Sequence, residues 1–73
     1  MRYFIFFYKC QDIHSIQHGQ QGVIGKKFPS SKIIKIAISD NNTYLPDQCD
    51  ILSFNEVSEE DYNSFFDNKD NGE

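Results

Sequence analysis

Two cysteines and two histidines are the side chains of this 73-residue chain whose spacing suggests a metal site. Cys10, His14 and His18 are spaced four residues apart, and Cys49 could complete a Cys2His2 zinc site. Zinc fingers usually bring their cysteines in pairs about two to four residues apart, which this chain lacks. The glycines after His18 also disfavour the helix that this spacing needs. We therefore expect no metal and no cofactor, but two thiols and two loop histidines.

A glycine-rich segment followed by two lysines could hold a phosphate group. Backbone N–H groups of such a segment can form a concave nest for an anion. The segment lacks the Gly-Lys-Ser/Thr ending of a P-loop. Glycine-rich segments of this kind more often form a β-hairpin. A small phosphorylated ligand or nucleotide is thus an alternative ligand, with the candidate residues His18, Gly19, Gly22, Gly25, Lys26 and Lys27.

Charge is divided between the two halves of the chain, which has a net charge of -4. Six of the seven basic residues lie in residues 1–35, and ten of the eleven acidic residues lie in residues 36–73. A run of acids is usually a solvated helix surface. Spaced carboxylates can also compete for a basic groove on another protein, and the candidates here are Glu56, Glu59, Glu60 and Asp61.

Catalysis is the least expected activity. No serine or cysteine stands in a recognisable nucleophile motif with a base at the matching spacing. The acids cluster in the second half of the chain and form no isolated pair. We expect no catalytic residue and a protein that is not an enzyme.

The clearest predicted element is a strand from Tyr3 to Cys10, rich in aromatic and β-branched residues. Both of its faces are apolar, so it lies inside a sheet covered on both sides or leaves one face for another chain. In so small a chain the second option is realistic. The predicted partner-binding surface therefore combines Tyr3, Ile5 and Phe7 with the four acids, and a homodimer through this strand is compatible with it.

Four further elements follow. A weak strand over roughly residues 16–26 is predicted to return antiparallel to the first. Ser30 or Ser31 can cap a helix that runs to about Asp40, although residues 32–38 are β-branched enough to form a strand instead. A strand over residues 49–57 comes next. The last helix starts with a capping box, Ser58 with Asp61, and continues with an aromatic face made of Tyr62, Phe65 and Phe66.

The element order is therefore β-β-α-β-α. It predicts a small two-layer α+β domain, in which a three-stranded, mainly antiparallel sheet carries two short helices on one face. Residues 1–66 form this single domain, and residues 67–73 form a flexible acidic tail. Two cysteines are too few for a disulfide framework, and neither a secretion signal nor a membrane-spanning segment is recognisable. We expect a reduced, cytoplasmic protein.

One stretch resembles the KH domain, an RNA-binding module with an apolar pair, a Gly-x-x-Gly loop and a helix with spaced isoleucines. The stretch is Val23-Ile-Gly-Lys-Lys27 followed by Lys32-Ile-Ile-Lys-Ile36. Phe28 stands where the second glycine of the loop is required, and the likeness covers about fifteen residues. RNA binding is a further alternative, and it needs the acidic half of the chain to lie away from the basic half.

Nearly the whole chain is similar in arrangement to the short proteins of tailed phages and mobile elements of AT-rich bacteria. The likeness rests on the aromatic first strand, the Phe-Pro-Ser start of the helix and the stretch from Ile51 to Tyr62. It implies a protein that acts in the cytoplasm of a host cell by stoichiometric binding. The function expected on this basis is inhibition of a host protein, for example a component of a defence system.

Overall fold

The structure is a computed structural model that describes residues 1–67, without the side chain of Asp67. The elements are β1 (Arg2–Gln11), β2 (Ile16–Gly25), α1 (Ser31–Asp40), a short 3₁₀ turn (Pro46–Gln48), β3 (Cys49–Val57) and α2 (Glu59–Asp67). The strands form one antiparallel sheet in the order β2-β1-β3. The predicted α+β class and element order are confirmed. Of the predicted tail, residues 68–73 lie outside the described residues.

A tight turn joins β1 to β2. The carboxylate of Asp12 accepts hydrogen bonds from the backbone N–H groups of His14 at 2.7 Å and Ser15 at 2.8 Å. These two bonds favour the ionised carboxylate and hold the pKa of Asp12 below its usual value. Asp12 thereby fixes the turn that lets all ten residues of β2 pair with β1.

Residues 32–38 are helical, so the predicted helix is confirmed over the competing strand. Ser30 is the N-cap, and its hydroxyl accepts from the N–H of Ile33 at 3.3 Å. Ile34 and Ile38, four residues apart, are buried on one face of α1. The helical period places both on the sheet at once, and this packing outweighs the weak β preference of the β-branched residues. At the end of α1 the side-chain amide of Asn42 donates to the carbonyl of Ile38 at 2.9 Å.

The two helices cover opposite faces of the sheet, so the predicted two-layer arrangement with both helices on one face is wrong. Successive β1 side chains point to opposite faces. The main core lies on the α1 face and consists of Phe4, Phe6, Tyr8, Cys10, Ile34, Ile38, Tyr44 and Cys49. On the other face, α2 places Tyr62 against Tyr3, with ring centroids 5.4 Å apart. Both faces of β1 are apolar, so one helix packs on each face and shields it from water.

The start of α2 follows the predicted cap. The hydroxyl of Ser58 accepts a hydrogen bond from the N–H of Asp61 at 3.1 Å. The return bond of a full capping box is not formed within the described residues. Glu59, Glu60 and Asp61 occupy the first turn, where negative charge is favourable to the helix dipole. No helix in the described part of the chain has the length and apolar character needed to cross a membrane.

Candidate interaction surface

Two half-exposed phenylalanines lie in contact with each other at the surface. Phe28 and Phe54 are each 46% exposed, and their rings meet edge to face with centroids 4.9 Å apart. They rest on the buried rings of Phe4 and Phe6, with Phe4 5.3 Å from Phe28 and Phe6 5.7 Å from Phe54. We call Phe28 and Phe54 the aromatic patch. Each ring packs against a buried ring on its inner side and is exposed to solvent on its outer side, which suits the pair to bind another molecule.

Strand register and one proline place the two rings together. Phe54 lies directly opposite Phe6 in the β1–β3 pairing, so both side chains are on the α1 face. Pro29 disfavours helical backbone at Phe28, and α1 begins only at Ser31. The connection from β2 to α1 therefore crosses the sheet and lays Phe28 on the rings beneath. Sequence reasoning missed both residues of the patch, because the β1–β3 register that joins them is a tertiary feature.

A cleft of about 730 Å³ lies beside the patch, between the end of β2 and the start of α1. It is lined by residues 23–31 together with Ile33. Val23, Phe28, Pro29 and Ile33 provide apolar walls, whereas the exposed Lys26 and Lys27 provide positive charge. The cleft can therefore receive an apolar side chain that has a negative group close by.

Four lysines and the three acids of the first α2 turn lie on opposite faces of the sheet, although Glu56, paired with Phe4, is on the α1 face. Lys32 and Lys35 belong to α1, and Lys26 and Lys27 lie in the connection before it. The exposed acids of the first α2 turn, Glu59, Glu60 and Asp61, belong to the opposite face. The intervening sheet separates the two groups of charges. An anionic partner at the aromatic patch would thus meet lysines without approaching these three acids.

The apolar strand face predicted to bind a partner is covered. Ile5 is only 5% exposed, and Tyr3 and Phe7 are half-buried. The rings of Tyr62 and Phe65 lie over Tyr3 and Phe7, with centroids 5.4 and 6.4 Å apart respectively. The expectation that this face is left open is therefore wrong, because the aromatic face of α2 fills it.

Among the predicted acidic residues, Glu56 has a partner within the chain. Its carboxylate accepts two hydrogen bonds from the guanidinium of Arg2, both at 2.9 Å. This pairing lowers the pKa of Glu56 from its usual value. Glu59, Glu60 and Asp61 are exposed on α2. The structure thus keeps these three acids at the surface while it separates them from the aromatic patch.

The glycine-rich segment is a regular strand, so the predicted phosphate nest is wrong. No glycine among the described residues has a positive φ, which a nest requires. Gly19 and Gly22 instead make room for rings. A Cβ at Gly19 would lie 2.5 Å from the hydroxyl of Tyr8, and one at Gly22 would overlap Tyr62 and Phe66. Of the six candidate ligand residues, only Gly25, Lys26 and Lys27 line the cleft; His18, Gly19 and Gly22 do not.

The two cysteines are brought together, whereas the two histidines are not brought to them. Cys10 lies opposite Cys49 in the sheet, and their buried sulfur atoms are 2.9 Å apart, joined by a hydrogen bond. Burial, with the hydrogen bond to Cys10, raises the pKa of the Cys49 thiol to about 12. His14 and His18 are exposed. Within the described residues these side chains form no group that could hold a metal ion.

No family model matches the chain, and no curated protein or solved structure matches it either. The fold and the surface define a small α+β protein whose sheet is covered by one helix on each face. On the α1 side it has a pair of half-exposed aromatic rings beside a cleft that is lined in part by two lysines.

Proposed function

We propose that this chain is a small binding protein that docks on another protein through the aromatic patch and the adjacent cleft. The observation that carries the proposal is the exposure of Phe28 and Phe54 on a floor of buried rings. Binding energy in protein interfaces is concentrated in a few large side chains that lose contact with water. Two supported aromatic rings meet this requirement at little cost in conformational entropy, because their neighbours already hold them in place.

The charges around the cleft favour a partner segment of defined chemistry. Lys26 and Lys27 lie at the cleft, and the acids of α2 are on the other side of the sheet. Complementary charges steer association and disfavour partners of the wrong sign. The partner surface that fits best therefore presents an apolar side chain for the cleft and carboxylates for the lysines.

Stoichiometric inhibition of a host protein is the biological role implied by the resemblance to short phage and mobile-element proteins, with a defence-system component as one example. The proposed surface is compatible with this role, because a bound inhibitor needs an anchor and no catalytic group. The role itself stays a prediction. Because α2 covers the strand face with Tyr3, Ile5 and Phe7, we propose the aromatic patch as the contact instead.

The test compares two variants in a search for partners. Phe54→Ser removes one ring of the aromatic patch, whereas Leu45→Ser removes an apolar side chain that is 62% exposed outside it. Tagged wild-type and variant proteins would be isolated from the cells that encode them, and native mass spectrometry would give the stoichiometry of retained proteins. We expect a defined complex with the wild type and with Leu45→Ser, and its loss with Phe54→Ser.

Two results would overturn the proposal. One is a complex that survives Phe54→Ser unchanged, and the other is the loss of the complex with Leu45→Ser as well. Circular dichroism of each variant would establish that its fold is retained. Chemical cross-linking of the complex should then place the partner next to Lys26 or Lys27, the lysines of the cleft.

The sequence also predicts two alternative functions, binding of a small phosphorylated ligand and binding of RNA. Both would use the lysines of the cleft, and an experiment can distinguish them from protein binding. A phosphorylated ligand or an RNA strand would depend on Lys26 and Lys27, which the joint variant Lys26→Ala with Lys27→Ala removes. Calorimetric titration with ATP and with a short single-stranded RNA provides the readout. Saturable binding that disappears in this variant would favour a ligand-binding or RNA-binding protein, and RNA binding must also weaken steeply with salt.

A further inference from the structure

The two edges of the sheet differ in how well they are protected against pairing with another strand. β3 carries Asp50 and Glu56, and its pairing with β1 is interrupted by a register shift between Phe7 and Tyr8. Charges and bulges are the usual means by which edge strands avoid other chains. β2 has ten residues, pairs with β1 in a continuous register, and contains no charged residue and no proline. The β2 edge is therefore the one open to a further strand.

The connection that follows β2 does not cover this edge. Phe28 contacts Phe6 on β1 and Phe54 on β3, with ring centroids 5.9 and 4.9 Å apart. The chain thus leaves β2 toward the opposite side of the sheet before α1 begins. None of the ten residues of β2 is buried, and the side-chain amide of Gln21 donates to the carbonyl of Gly22 at 3.0 Å.

Two exposed isoleucines are placed symmetrically on β2. Ile16 is 58% exposed and Ile24 is 49% exposed, and Gln20 lies midway between them. Their spacing of eight residues places both side chains on one face of the strand, since side chains alternate with a period of two. Ile24 lies opposite Tyr3 in the sheet, which makes this the α2 face. The two isoleucines therefore lie four residues before and four residues after Gln20.

We propose that two copies of this chain pair antiparallel along β2, about a two-fold axis at Gln20, to form one continuous six-stranded sheet. In this register Ile16 of each copy lies opposite Ile24 of the other. Both exposed apolar side chains then gain a cross-strand partner. The same register brings Lys26 of each copy next to residues 12–15 of the other, the turn that carries Asp12.

A second copy suits this edge better than an unrelated strand for two reasons. In a two-fold interface the same surface of each copy must fit itself. β2 meets this requirement, because Ile16 and Ile24 exchange places when the strand is rotated about Gln20. Pairing an uncharged strand with itself also brings no like charges together. The assembly is closed, because the two outer edges of the six-stranded sheet would be the protected β3 strands. This inference is separate from the proposed partner binding, although Ile24 also lines the cleft.

A charge-exchange experiment tests both the dimer and its register. The joint variant Ile16→Lys with Ile24→Lys places two like-charge pairs across the proposed interface. The joint variant Ile16→Lys with Ile24→Glu places two opposite-charge pairs there instead. Within one chain the two positions are about 26 Å apart along an extended strand, so no attraction inside the monomer can mimic the rescue.

Sedimentation equilibrium from micromolar to millimolar concentration provides the readout. We expect a dimer for the wild type, a dissociation constant raised about tenfold or more by the like-charge variant, and recovery in the opposite-charge variant. Leu52→Lys, at an exposed residue of β3, is the matched control and should leave the dimer intact. A monomeric wild type at every concentration, equal loss in both joint variants, or open-ended assembly would each overturn the proposal.

Discussion

The Cys10–Cys49 pair illustrates how burial changes the chemistry of single residues. The two thiols lie in register on β1 and β3, both fully buried in the core on the α1 face. Loss of water disfavours the thiolate, and this burial is the first cause of the raised Cys49 pKa of about 12. Since the thiolate is the reactive form, Cys49 is an inert core residue at neutral pH.

The raised pKa predicts how stability depends on alkaline pH. The native state holds the Cys49 proton more tightly than the unfolded state, whose thiol has the ordinary value of 9.0. The associated stabilisation is complete below that value and is lost as pH rises through the folded value of about 12. The free energy of unfolding should therefore fall above pH 9.0, by at most about 1.4 kcal/mol per pH unit from this group.

Urea unfolding in the presence of a reductant, at a series of pH values, measures this effect. Cys49→Ala is the control, because it removes the titrating thiol and keeps the other groups that ionise in this range. We expect the stability advantage of the wild type over Cys49→Ala to shrink as the pH rises above 9.0. An advantage that is constant with pH would show that the Cys49 pKa is not raised.

Packing between elements explains why β2 contains glycines. Gly22 lies opposite Ile5 on the α2 face, directly beneath the rings of Tyr62 and Phe66. A side chain there would hold α2 away from the sheet. Gly22 thus determines how closely α2 can approach the sheet, and no glycine of β2 has a positive φ.

This role predicts a large effect of Gly22→Ala and a small effect of Gly25→Ala. The added methyl group at Gly22 would overlap two rings, and overpacking of this kind typically costs about 1–3 kcal/mol. At Gly25 the nearest atom to the added Cβ is the Lys27 carbonyl oxygen at 3.5 Å, an ordinary contact. Chemical denaturation of the three proteins gives the comparison. Equal stability of the two variants would contradict the packing of α2 on Gly22.

At the scale of the whole molecule, the aromatic patch and the β2 edge are two separate surfaces, proposed here for partner binding and for dimerisation respectively. Phe54 is on β3 and Ile16 is at the far end of β2 from the cleft. We therefore expect Phe54→Ser to abolish partner binding and leave the dimer intact. Ile16→Lys should weaken the dimer and leave partner binding intact.

Both variants can be followed in one native mass spectrometry experiment that reports copies of the chain and of the partner together. Loss of both interactions in either variant would show that the two surfaces act as one. Ile24 is not used for this comparison, because it lines the cleft and also belongs to the proposed dimer contact.

Local features of the sequence determined the elements of this protein. The helix over residues 32–38 follows from a serine cap and from isoleucines at helical spacing, and both signals lie within one turn of the residues they affect. The strand at Tyr3–Cys10 and the cap at Ser58 are equally local. Signals of this kind need no knowledge of distant contacts, which is why the element order could be predicted.

Only the tertiary structure decided which surfaces are open. The face of β1 with Ile5 was predicted to be exposed, but α2 crosses to the opposite face from α1 and buries it. Phe28 and Phe54 are 26 residues apart, and they form a patch only because Phe54 lies in register with Phe6. Exposure depends on which residues pack together across the sheet. Apolar residues on both faces of a strand must pack against other elements, but the residues of the strand do not specify which helix packs on which face.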